Sequence, residues 1–125
     1  MIGDASLFRS FVQEALDSLP EQFAERLWNL VVKVEREPSD DDLDSVEIGP
    51  HDTLFGLYTG VPLTQRGANL SGNLPDVIIV FRDPITRHCR GEIECVRRQV
   101  RETVIHEVAH YFGISDERLM QLDRY

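Results

Sequence analysis

Apolar positions in the first part of the chain recur at helical spacing and then give way to alternation. Leu7, Phe8, Phe11, Val12, Ala15 and Leu16 keep an i, i+3, i+4 rhythm, which places one apolar face on a helix. That helix starts near Ser6, with Asp4 or Ser6 as its N-cap, and Pro20 breaks it after Leu19. Pro20 also suits the first turn of a second short helix, Glu21–Leu30, whose apolar positions are Phe23, Ala24, Leu27 and Trp28. From Leu30 to Arg36 the period changes. Val31, Val32 and Val34 are β-branched and interleave with Lys33 and Glu35, which predicts a strand. Pro38–Asp44 reads as a solvated acidic turn.

A second strand is expected over Thr53–Gly60, with Gly56 marking a point where another backbone or a ligand comes close. Val61–Pro75 is rich in breakers and reads as a loop of a length that is usually functional or mobile. Val77–Arg82 is the most apolar segment and is expected to be a central strand. After Asp83–Pro84 comes a short helical turn, then a long helix from about Gly91 to Phe112 that Gly113 stops. Ser115 caps a final short helix running through Met120 and Leu122. Helices thus gather at both ends, with strands between them and no regular βα alternation, so the class is α+β.

Composition narrows the function. At 125 residues the chain is read as one domain, 1–125, large enough to fold without disulfides or a metal. Asp and Glu number 22 against 13 Lys and Arg, a net charge of −9. That balance argues against the basic face by which proteins track phosphates, so no nucleic acid is expected as partner. Met1–Ser10 shows no basic segment leading into an apolar run, and no apolar stretch approaches the ~20 residues of a membrane span. A cytoplasmic protein with no membrane partner is expected. Cys89 and Cys95 lack the spacing of a metal pair and are read as reduced small side chains.

The chemistry concentrates in His106-Glu107-Val108-Ala109-His110. Residues four apart on a helix share a face, so His106 and His110 aim at one ion, while Glu107 lies about 100° round the helix. Catalytic zinc usually takes three protein ligands and keeps a fourth position for water. Asp116 is the candidate third ligand, because Gly113 lets the helix stop in a left-handed turn that brings the chain back. The run reads HExxHxxGxxD. Its surroundings support the reading: Val96, Val100, Val104, Ile105, Val108, Ala109, Tyr111 and Phe112 cover most directions of the wheel. Gln99, Glu102, Thr103, His106, His110 and Gly113 form one polar or small stripe.

TVIHEVAHYFGISDERL resembles the small bacterial zinc metallopeptidases of minimal zincin fold, and LDSLP, LFGLYTGVPL, LPDVIIVFR and QVRETVIHE resemble the same family. The resemblance implies a small mixed β-sheet packed with an HExxH active-site helix and further helices. It implies no substrate, and no convincing Met-turn is visible, since Met120 comes too soon after Asp116 and falls in an expected helix.

On chemical grounds one Zn2+ per chain is expected on His106, His110 and Asp116, with Glu107 as general base toward a zinc-bound water. Tyr58, Arg66 and Tyr111 are candidates for steadying the tetrahedral oxyanion, Tyr111 last because it points away from the stripe. Glu102, one turn before His106, is read either as a partner that orients an imidazole or as a surface carboxylate. Thr53–Gly60 is a candidate strand for main-chain pairing with a peptide or protein substrate, under a Val61–Pro75 lid, or else an ordinary strand and loop. His51, His88 and the Asp40–Asp42 and Asp44 carboxylates are set aside as ligands. Hydrolysis of a peptide bond is the leading reading. Hydrolysis of a non-peptide amide, and a non-catalytic metal-binding interaction module, use the same residues.

Overall fold

The computed structural model describes residues 5–25, 27, 30–44, 54–60 and 76–113. Helix α1 (Ala5–Asp17) forms where the apolar rhythm placed it and buries Phe8, Val12 and Ala15. Helix α2 (Glu21–Ala24) ends earlier than the expected Leu30. The chain leaves it through turns in which Leu27 N–H donates to Ala24 O and Leu30 N–H to Leu27 O. The reason is tertiary, because Leu30 opens strand β1 (Leu30–Glu35) opposite Asp76. Strand β1 stops one residue short of expectation. Arg36 gives its carbonyl to the N–H of Asp83 at 3.0 Å.

The acidic stretch after Pro38 is not merely a turn. It forms a single helical turn, α3 (Asp40–Asp44), closed by a reciprocal cap in which Asp42 N–H donates to Ser39 Oγ and Ser39 N–H to Asp42 Oδ2. Strand β2 (Gly56–Thr59) is shorter than Thr53–Gly60, although Phe55 O still accepts from Phe81 N–H at 2.8 Å. Strand β3 (Asp76–Phe81) ends at Phe81, since Arg82 already begins helix α4 (Arg82–His88). The sheet order is β1-β3-β2, with β1 parallel and β2 antiparallel to β3. The central place of β3 was expected from its unbroken apolar run, and both of its faces are covered. Ile78 and Val80 join the main core, while Ile79 and Phe81 meet Leu57, Leu54 and Val77 on the opposite face.

Helix α4 closes with a left-handed reversal at Arg90 (φ 53°). Arg90 N–H donates to Arg87 O and Gly91 N–H to Thr86 O, the paired bonds of a Schellman cap. This reversal folds Cys95 back onto Cys89, and the two are joined in a disulfide with Cα atoms 5.5 Å apart. The expectation of reduced thiols is therefore corrected. Their spacing suits no metal pair, yet a tight turn between two helices brings them within bridging distance.

Helix α5 (Ile93–Tyr111) is the longest element among the described residues. Val96, Val100, Val104 and Val108, four apart, form a buried stripe against α1 and the sheet. At about 1.5–3 kcal/mol for each fully buried aliphatic side chain, this stripe and Phe8, Val12, Ile78, Val80 and Ile85 carry the packing. The opposite side of α5 is solvated, with Arg97, Arg98 and Arg101 exposed as expected. Ile105 is also exposed, so α5 is not buried on nearly all sides. Among the described residues no helix is long and apolar enough to cross a membrane.

Candidate metal centre

Helical periodicity alone brings the two histidines together. His106 and His110 stand one turn apart near the C-terminal end of α5, with ring centroids 4.6 Å apart. Glu107 turns inward and is buried, at 7% exposure, with Oε1 3.4 Å from His110 Nδ1. Donor atoms of His106, Glu107 and His110 all lie within 4.8 Å of one another. A carboxylate buried this deeply is costly unless cationic or hydrogen-bonding groups compensate it. Two imidazoles on one helix face are nitrogen ligands of the kind that borderline cations such as zinc take, with the Glu107 carboxylate beside them. The residues present therefore fit a metal ion.

The helix ends as its sequence predicts. Gly113 adopts φ 80° and its N–H donates to His110 O at 2.9 Å, so the chain turns sharply just past the second histidine. Asp116, the expected third ligand, lies outside the described residues, as do Arg66, His51, Met120 and the Val61–Pro75 segment.

Strand β2 closes the other side. A cleft of about 280 Å³ opens beside His106, lined by Leu54, Phe55 and Gly56 from the β2 side and by Gln99, Glu102, Thr103, His106 and Glu107 from α5. Most of the polar stripe anticipated on α5 is this lining. Gly56 sits directly over the helix, where a Cβ would lie 2.5 Å from Thr103 Cγ2 and 3.3 Å from Glu107 Cγ. The close approach expected at Gly56 is thus made by a helix.

Over residues 27–125 the chain matches the model of a family described as zincin-like metallopeptidase. The chain belongs to that family. No curated protein matches it. The family span takes in every described element from β1 to α5 and leaves out α1, the LDSLP stretch and α2. In this zincin-like metallopeptidase the long helix bears the His106, Glu107 and His110 cluster against a small mixed sheet, as the resemblance implied.

Two expected residues, Tyr111 and Tyr58, lie outside the cleft lining. Tyr111 is 2% exposed and packs edge-on against Tyr58 and Phe112, within the core and away from the cleft lining. Tyr58 is half-buried in the same aromatic group and is not part of that lining. Glu102 lines the cleft and is exposed there. His88 rests against the ring of Phe55. Leu54 and Phe55 were not singled out from sequence. Their one signal was a place just before Gly56, on a strand whose packing partner the sequence does not name.

Proposed function

We propose that this protein is a zinc-dependent peptidase in which His106, His110 and Asp116 hold the metal and Glu107 is the general base. One observation carries the reading: the buried Glu107 carboxylate belongs to the histidine cluster and also lines a cleft beside β2, an edge strand among the described residues. A metal held only for structure has no use for a carboxylate at that offset. When bound, the ion supplies Lewis acidity, lowering the pKa of a water toward ~7 and polarising the scissile carbonyl.

Glu107 takes a proton from the attacking water as the new C–O bond forms. It returns that proton to the amide nitrogen as the C–N bond breaks, which releases an amine and a carboxylate. Its burial keeps bulk water from competing for this proton. Among the described residues β2 is an edge strand, and its backbone beside the cleft is the candidate for main-chain pairing with an extended peptide or protein substrate.

The test is metal content by plasma mass spectrometry on protein purified without chelator or His-tag, beside cleavage of a peptide library. Wild type and Glu107→Gln are expected to carry about one zinc per chain, in line with one His/Glu/His cluster. His106→Ala/His110→Ala is expected to carry none. Glu107→Gln should lose about 10²–10⁴-fold in turnover, the usual worth of a general base. Stoichiometric zinc with no cleavage by wild type would overturn the peptidase reading.

A further inference from the structure

We infer that the cleft beside His106 and Glu107 is a pocket for an arginine or lysine side chain adjoining the cleaved bond, with Glu102 selecting the positive charge. This rests on the peptidase reading above.

Gln99, Glu102, Thr103 and His106 succeed one another along a single face of α5 and form one wall of the cleft. Glu102 lies one turn, about 5.4 to 6 Å, from His106. That is the reach of a long side chain whose backbone is held at the metal cluster. Leu54 and Phe55 form the facing wall and can cover a methylene stem, while the far end is polar.

The polar end is acceptor-rich. Gln99 donates one amide N–H to Thr103 Oγ1 at 3.2 Å, and its carbonyl oxygen is a further acceptor. Glu102 engages no described residue, although Arg98 and Arg101 stand close by in sequence. Glu14 and Glu94 hold Arg97 and Glu37 holds Arg87, whereas Glu102 shares its lack of an ion pair among the described residues with carboxylates such as Glu35 and Glu92, and differs from them in lining the cleft.

Among the described residues no lysine or arginine lines the cleft. An acidic side chain there would face Glu102. A short apolar one would leave both acceptors unused, whereas a guanidinium or ammonium satisfies them. The net charge of −9 adds a long-range field that draws cationic peptides in.

The test uses zinc-loaded protein and quenched peptides that differ only in the residues on each side of the central bond. These are arginine, lysine, the neutral arginine isostere citrulline, leucine, or glutamate. Wild type should cleave the arginine and lysine peptides roughly fivefold faster, in kcat/KM, than the citrulline peptide, the scale of a solvated ion pair. Glu102→Gln should bring that ratio to about one. Glu92→Gln should keep it, because Glu92 lies about 15 Å up the helix, beyond the ~8 Å screening length. No preference in wild type, or an unchanged preference in Glu102→Gln, overturns the pocket assignment.

If no peptide is cleaved, the peptidase reading falls and a binding measurement decides the pocket separately. Nα-acetylarginine amide should shift the backbone amide resonances of Gln99 and Thr103 where the citrulline analogue does not, and Glu102→Gln should abolish the difference. Equal or absent shifts for both compounds would overturn the pocket.

Discussion

Gly56 shows how one missing methyl group sets the geometry of the site. Its α-carbon faces α5 so closely that a Cβ would overlap Thr103 Cγ2 and crowd Ile79 O and Glu107 Cγ. The backbone carbonyl of Ile79 cannot move aside, so the helix must shift instead. Gly56→Ala is expected to cost about 1–3 kcal/mol, the range for overpacking, and to lower turnover by displacing Glu107. Adding Thr103→Ser, which removes Cγ2 and keeps the hydroxyl that Gln99 donates to, should recover part of that loss in urea unfolding. A double-mutant cycle with no coupling between the two positions would refute the overlap as the cause. The special standing of Gly56 was legible in the sequence as an isolated glycine in a strand. Its neighbour was not, because strand-to-helix packing leaves no trace in local periodicity.

At the scale of elements, the caps were readable where they are local and misread where pairing intervened. Gly113 turns left-handed and ends α5 as its position predicts. Helix α2 lost its second half because Leu30 is claimed by β3 through the ladder with Asp76, a contact no window of the sequence contains. The Ser39 and Asp42 cap of α3 was there to be read, as a Ser with a carboxylate three residues later. Arg90 is the least expected feature, a left-handed residue with a Cβ at the close of α4. Arg90→Gly removes that steric penalty, and about 1 kcal/mol of added stability is expected, visible as a higher urea midpoint at unchanged slope. A lower midpoint would show that the Arg90 side chain contributes more than its backbone costs.

Across the whole molecule, α1 and the valine stripe of α5 form a core on one face of the sheet, and the His106, Glu107 and His110 group sits on α5 where that helix meets β2. Burying Glu107 in this position works against folding until a cation compensates it. Metal binding is therefore expected to stabilise the protein as any ligand of the native state does, by about 2.7 kcal/mol at a hundredfold excess over Kd. Chelation should lower the thermal midpoint, and added zinc should restore it. The His106→Ala/His110→Ala variant should respond to neither. An equal response in that variant would place the bound metal elsewhere. The disulfide between Cys89 and Cys95 belongs to this scale as well, since it ties the start of α5 to the end of α4.

Relations between neighbours along one helix follow from the order of residues alone. The i, i+4 repeat puts His106 and His110 on one face, Glu107 lies beside them, and Gly113 ends the turn. These relations depend only on helical geometry, and part of the family resemblance rests on the same residues. Only the tertiary structure decided which side chains line the cleft, because Leu54, Phe55 and Gly56 meet Gln99, Glu102 and Thr103 through sheet pairing and packing. It also decided that Glu107 is buried, that Tyr111 belongs to the core, and that two cysteines read as reduced are joined. Burial and close approach arise from contacts between distant segments, and local patterns of polarity do not encode which segments those are.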